Sequence, residues 1–136
     1  MSKRLQAPKA LSVQMDITTR CNLRCIMCAR EQYDPQAYDM PVEVFEVIAR
    51  KVFDKAAVLN LSCGAEPLMS RHFDQIMAVV QGYHIPWVEL VTNGTLLDEH
   101  RIRTLIECGV KSIQVSMTAR AKRPMNGSGG EPISTA

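Results

Sequence analysis

The stretch Cys21-Asn-Leu-Arg-Cys25-Ile-Met-Cys28 places three cysteines in C-x3-C-x2-C spacing, directly after an alternating apolar run. Thiolates are soft ligands that suit iron–sulfur clusters, copper(I) and zinc. A [4Fe-4S] cluster asks for one cysteine per iron, so three cysteines would leave one iron without a protein ligand. An open metal position is where a substrate or cofactor can bind directly. The spacing therefore favours a reactive iron–sulfur site with Cys21, Cys25 and Cys28 as its ligands.

Two other uses of the cysteines are weighed against this one. A structural zinc site usually has four protein ligands in two spaced pairs, and here the fourth ligand would be Cys63, Cys108 or a histidine, all distant in sequence. Disulfides are less expected, because five cysteines is an odd count and a cytoplasmic protein, which we expect this to be, keeps its thiols reduced. A zinc module or an electron-transfer module without enzymatic activity remains the alternative.

The composition is that of an ordinary globular protein. The 136 residues are 46% apolar and 22% charged, which fits at most one domain with a modest core. No apolar run approaches the length of a membrane span. No basic stripe interleaved with aromatic residues indicates a nucleic-acid partner. The composition therefore points to neither a membrane nor a nucleic acid.

Apolar periodicity predicts four strands that alternate with three helices. The strands begin at Leu11 and cover residues 58–62, 87–91 and 110–116, while the helices begin at Pro41, cover residues 71–81 and follow Asp98. The expected buried helix faces consist of Phe45, Ile48, Ala49, Val52 and Phe53, then Phe73, Ile76, Met77 and Val80, then Ile102, Leu105 and Ile106. This alternation predicts an α/β fold with a parallel sheet and helices packed outside it.

Three informative segments fall where strands end. They are the cysteine loop after the first strand, Gly64-Ala-Glu-Pro67 after the second and Thr92-Asn-Gly94 after the third. Functional sites of parallel sheets gather at the carboxyl ends of the strands. We therefore expect the three segments to form one site.

The stretch from Asp16 to Cys28 resembles the cluster loop of the radical S-adenosylmethionine (radical SAM) enzymes. The resemblance implies a partial parallel (β/α) barrel, of which this chain would hold about four strands and three helices. It also implies two cofactors, a [4Fe-4S] cluster on the three cysteines and S-adenosylmethionine on the open iron. In that family the reduced cluster cleaves S-adenosylmethionine to a 5′-deoxyadenosyl radical, and the protein binds, orients and excludes water.

The resemblance extends to residues that would contact S-adenosylmethionine. Gly64, Ala65, Glu66 and Pro67 resemble the family's GGEP segment, which contacts the amino group of S-adenosylmethionine, with Ala65 in place of the second glycine. Asn93 matches a segment that lines the floor of the cofactor site. Ser116 matches a position that offers a hydroxyl group to the cofactor, and Met27 stands where many members have an aromatic ring near adenine.

The resemblance also implies a reaction class and a partner. We expect an oxidoreductase-like maturation of a peptide or cofactor precursor, with a substrate that the sequence leaves unknown. The expected partner is a one-electron reductant such as flavodoxin or ferredoxin.

The pattern changes after Met117. We predict a flexible amino terminus at residues 1–10, a truncated radical SAM core at residues 11–117 and a disordered tail at residues 118–136, which is rich in Gly, Ser and Pro near its end. One nucleotide sequence encodes the family-like continuation DGASKETYERIRRGA and, after loss of its first base, residues 118–132 as they stand. A one-nucleotide deletion near the codon of Thr118 would therefore explain the tail. We expect the polypeptide as written to be marginally stable and inactive, because its last strand is an unprotected edge.

Overall fold

The computed structural model describes residues 10–25, 27–28 and 36–116. Within them lie four strands and three α-helices in alternation: β1 Leu11–Gln14, α1 Val42–Val52, β2 Ala56–Asn60, α2 Phe73–Gln81, β3 Trp87–Thr92, α3 Glu99–Glu107 and β4 Ser112–Val115. The predicted flexible start, apart from Ala10, and the predicted tail lie outside these residues.

The four strands form one parallel sheet in the order β1-β2-β3-β4. The fold class predicted from the sequence is thus confirmed: an α/β architecture with four parallel strands and three helices. All four strands run in one direction, so their carboxyl ends lie at one edge of the sheet. The loops that leave this edge carry the cysteines and the two other predicted segments.

The hydrophobic core lies between one face of the sheet and the helices. Leu59 of β2 and Val88 and Leu90 of β3 are buried on that face. Phe45 and Ala49 of α1 pack there together with Phe53, whose ring meets Phe45 edge-on with a centroid distance of 5.5 Å. The helices thus cover one face of the sheet, and the loops at the carboxyl ends of the strands lie outside this core, where they can form a site.

Helix α3 departs from the predicted burial. Leu105 is fully buried, whereas Ile102 and Ile106 are 42% and 69% exposed, so the expectation that all three residues face the core is wrong for the two isoleucines. Among the described helices, α3 packs mainly against α2, at the β4 side of the sheet. This packing buries Leu105 and leaves the two isoleucines largely exposed.

Within the described residues, every helix is too short or too polar to cross a membrane.

Candidate functional site

The cysteine loop is closed at its base by a short antiparallel pairing. Thr18 pairs with Asp39, and two backbone hydrogen bonds flank this bridge, from Met40 N–H to Ile17 O at 2.9 Å and from Thr19 N–H to Tyr38 O at 2.9 Å. The chain that carries the three cysteines therefore leaves and returns at one point. A closed base limits how far the cysteines can move apart.

The Asp39 carboxylate reinforces this base. It accepts hydrogen bonds from Thr18 Oγ1 at 2.7 Å and Arg20 Nε at 2.9 Å, and its side chain is only 6% exposed. Burial alone would raise the pKa of Asp39, but the hydrogen bonds from Thr18 and Arg20 and the charge of Arg20 outweigh it and hold the pKa below its ordinary value. Asp39 is therefore a charged anchor at neutral pH.

The three loop cysteines are all partly exposed. In the part of the chain that the structure describes, no three side chains of His, Cys, Asp or Glu come together closely enough to hold a metal ion. A single zinc ion needs its ligands to converge on one point, whereas a [4Fe-4S] cluster takes each thiolate on a different iron. The donor set, three thiols on one short loop, is of the soft kind that an iron–sulfur cluster takes.

The segment after β2 is held against the cysteine loop from two sides. The Asp16 carboxylate accepts hydrogen bonds from the backbone N–H groups of Cys63 at 2.7 Å and Gly64 at 3.0 Å. The N–H of Glu66 donates to the carbonyl oxygen of Arg20 at 2.9 Å, just before Cys21. The first two predicted segments are thus joined by direct hydrogen bonds.

Glu66 joins the second predicted segment to the third. Its side chain is almost completely buried, and Oε1 accepts from Thr92 Oγ1 at 2.7 Å and from Leu68 N–H at 3.2 Å. Its other oxygen, Oε2, accepts from Asn93 N–H at 2.7 Å. Buried carboxylates need such partners, because an unpaired one costs several kcal/mol. A contact between Glu66 and an ammonium group therefore stays a prediction. The structure does show that the Glu66 carboxylate joins the segment after β2 to the segment after β3.

Asn93 reaches from the end of β3 into the cysteine loop. Its Nδ2 donates to Asn22 Oδ1 at 2.8 Å and lies 4.0 Å from Cys21 Sγ. Gly94 follows with φ of +77°, a conformation that favours glycine. The turn after β3 thus aims the asparagine side chain at the first cysteine.

Ser116 and Met27 stand apart from this network. The N–H of Ser116 donates to Thr92 O at 2.8 Å, which places Ser116 directly after β4 at the same edge, with an exposed side chain. Met27 is 70% exposed. Among the described residues, no side-chain hydrogen bond joins Ser116 to the other candidates. Contacts of Ser116 and Met27 with a cofactor stay predictions.

Cys63 lies beside the site, in the turn that follows β2. Local desolvation raises the pKa of the Cys63 thiol, the charge of Asp16 raises it further, and a hydrogen bond with Gln14 offsets part of the rise. In this environment the Cys63 thiol is protonated at neutral pH.

The sequence-based candidates did not include several residues of the network individually, although Asn22 and Thr92 lie in segments expected to form the site. These residues of the network are Asp16, Asn22, Asp39, Thr92 and Thr95. Asp16 and Thr92 do carry a signal, because each is a polar residue at the point where a predicted strand ends. Asp39 carries none, since its role depends on a pairing between segments about twenty residues apart.

The chain is similar in sequence to known proteins. A family model described as the radical SAM superfamily matches residues 15–130. A probable GTP 3′,8-cyclase of Methanocella arvoryzae is 34% identical over 106 residues, covering 78% of this chain and 34% of the relative. A tungsten-containing aldehyde ferredoxin oxidoreductase cofactor-modifying protein of Pyrococcus furiosus is 31% identical over 107 residues, covering 76% of this chain and 29% of the relative. The chain thus spans about a third of the length of these curated relatives.

A solved structure shares the fold. The crystal structure of BtrN in complex with AdoMet and 2-DOIA superposes with a TM-score of 0.66 at 23% identity, covering 84% of this chain and 49% of BtrN. At this identity the similarity supports the architecture of the sheet and helices.

Proposed function

The chain belongs to the radical SAM superfamily, and from this premise we propose that it is the cluster-binding part of an enzyme that cleaves S-adenosylmethionine reductively. Cys21, Cys25 and Cys28 would hold a [4Fe-4S] cluster and leave one iron open for S-adenosylmethionine. When bound, the cluster supplies the electron for the cleavage, and the protein supplies position and shelter. A one-electron reductant such as flavodoxin or ferredoxin would deliver that electron, in a cytoplasm that keeps the thiols reduced.

The chain's own residues have distinct parts in this proposal. The pairing of Thr18 with Asp39 closes the loop that presents the cysteines. Asp16 orients the turn at Gly64, where a small residue lets a ligand approach the backbone. The carbonyl groups of residues 64–66 are the acceptors proposed for the amino group of S-adenosylmethionine. Asn93 would line the floor of the cofactor site, and Ser116 would offer its hydroxyl group to the cofactor.

One observation carries the proposal. Three segments that are far apart in sequence meet at the carboxyl edge of the sheet through direct hydrogen bonds: Glu66 to Arg20, Asn93 to Glu66 and Asn93 toward Cys21. Three cysteines on an otherwise unconnected loop would fit a passive metal module equally well. The buried Glu66 connects the cysteine loop to the ends of β2 and β3. This connection favours a site that binds a second molecule beside the metal.

The name of one relative supports a substrate class. The Pyrococcus furiosus relative is named as a cofactor-modifying protein. We therefore favour maturation of a cofactor precursor over maturation of a peptide.

Anaerobic reconstitution of the chain with iron and sulfide tests the metal site. We expect about four irons per chain. Replacement of Cys21, Cys25 or Cys28 by Ala should abolish the cluster absorbance, whereas Cys63→Ala and Cys108→Ala, the matched controls, should retain it. One tightly bound zinc per chain with no iron retained would contradict the proposal, as would loss of the cluster in Cys63→Ala alone.

A further inference from the structure

Three side chains at the edge of the cysteine loop form a closed ring of hydrogen bonds, here called the Asn–Thr ring. Asn93 Nδ2 donates to Asn22 Oδ1 at 2.8 Å, Asn22 Nδ2 donates to Thr95 Oγ1 at 2.7 Å, and Thr95 Oγ1 donates to Asn93 Oδ1 at 2.7 Å. Each group donates once and accepts once in the same direction. Hydrogen bonds in such a chain polarise and strengthen one another.

The orientation of the Asn93 amide follows from its partners. Asn93 Oδ1 also accepts from the backbone N–H of Thr95 at 2.9 Å, and a backbone N–H can only donate. The atom that faces Thr95 must therefore be the oxygen, and the atom that faces Asn22 and Cys21 must be the nitrogen. The two ends of the amide cannot be exchanged without breaking the ring.

One hydrogen of Asn93 is left for Cys21. The Nδ2 group carries two hydrogens, of which the ring uses one. Cys21 Sγ lies 4.0 Å from Nδ2, a long but permitted N–H···S contact. A thiolate accepts a hydrogen bond more strongly than a thiol does, so metal ligation favours this contact.

The ring is fixed at both ends of the contact. Asn22 follows Cys21 directly in the chain, so the ring holds the backbone of the accepting cysteine. The N–H of Asn93 is held by the buried Glu66 carboxylate at 2.7 Å, so the donor is held as well. A donor and an acceptor that are both held in place form a contact with little loss of entropy.

We propose that Asn93 is a positioning residue for the cluster, donating a hydrogen bond to the Cys21 thiolate and setting the reduction potential through it. This inference rests on the proposed function, since it needs a cluster on Cys21. Hydrogen bonds to ligand sulfurs stabilise the more negatively charged, reduced cluster and so raise its potential. Asn93 then acts on the metal side of the site and not only on the floor that S-adenosylmethionine contacts.

The test compares reduction midpoint potentials of reconstituted protein. Asn93→Leu keeps the size and neutrality of the side chain but removes the donor, and Gln81→Leu makes the same kind of change at the exposed end of α2. We expect a more negative midpoint potential and faster iron loss to a chelator in Asn93→Leu, and wild-type values in Gln81→Leu. A folded Asn93→Leu protein with the wild-type potential and iron-loss rate would overturn the inference.

A second variant covers the case in which Asn93→Leu fails to fold. Thr95→Val keeps Asn93 but removes the hydroxyl that closes the ring, so a smaller shift in the same direction is expected, and no shift would contradict the inference. The ring itself is tested in the metal-free protein by NMR. One of the two side-chain amide hydrogens of Asn93 should exchange slowly with solvent in the wild type and rapidly in Thr95→Val. If the wild type binds no cluster yet shows slow exchange, the proposed function fails while the ring stands.

Discussion

Two glycines adopt the same left-handed conformation in different surroundings. Gly94, in the turn that aims Asn93, has φ of +77°, and a Cβ there would lie 2.9 Å from Val115 Cγ1. Gly109, after α3, has φ of +75°, and a Cβ there would meet nothing within 4 Å. The pair separates the cost of the backbone conformation from the cost of a steric clash.

Gly109→Ala should lower the free energy of unfolding by about 1 kcal/mol, the cost of a left-handed conformation for a residue with a Cβ. Gly94→Ala should cost clearly more, because Val115 must also move. Urea denaturation followed by circular dichroism measures both values. Equal losses for the two variants would contradict the assigned contact with Val115, and Val115→Ala in the Gly94→Ala background should recover part of the larger loss.

At the scale of elements, the antiparallel pairing between residues 17–19 and 38–40 fixes the base of the cysteine loop. Asp39 is its charged centre, with Thr18 and Arg20 as direct donors and the exposed Arg71 as a weaker partner at 3.6 Å. Because the folded protein depresses the pKa of Asp39, its contribution to stability is complete above the unfolded-state value near 3.8. The contribution is lost as the pH falls through the lower pKa of the folded state.

Asp39→Asn should therefore destabilise the protein by about 1–3 kcal/mol at neutral pH, the usual cost of losing hydrogen bonds to a buried charge. The difference from the wild type should stay constant down to about pH 5 and shrink below the unfolded-state value. Chemical denaturation at several pH values measures it, with the exposed Asp54→Asn as the control expected to change little. A difference that grew as the pH fell would contradict the assignment.

The sequence predicted the elements better than the contacts between them. Strand and helix alternation follows from local apolar periodicity, so four strands, three helices and the edge that collects the three segments were all predictable. The exposure of Ile102 and Ile106 was not, because it depends on how many neighbours α3 has. The Asn–Thr ring was also hidden, since Asn22 lies seventy-one residues before Asn93 and nothing local links them.

Glu66 illustrates the same limit at the site. Its motif indicated a residue of the cofactor site, which stays a prediction, and the structure places it between Arg20 and Asn93 at the carboxyl edge of the sheet. The sequence could not indicate that its carboxylate is already engaged by Thr92, Leu68 and Asn93. A motif identifies the residue, whereas the direction of its side chain depends on which strand end lies beside it.

At the scale of the whole molecule, the described residues form a four-stranded parallel sheet, and the candidate site lies in the loops at its carboxyl edge. It spans about a third of the length of the curated relatives, with 34% and 29% of two of them covered. The predicted out-of-frame tail at residues 118–136 lies outside the described residues and stays a prediction, which sequencing of the gene past the codon of Met117 can test.

The central claim is that three cysteines hold a cluster with one open iron for S-adenosylmethionine. Mössbauer spectroscopy of protein reconstituted with iron-57, recorded with and without S-adenosylmethionine, tests it most directly. We predict that about one iron in four changes its isomer shift when S-adenosylmethionine is added, because only that iron lacks a cysteine ligand. Spectra that are identical with and without S-adenosylmethionine, from a protein that holds a full cluster, would contradict the claim.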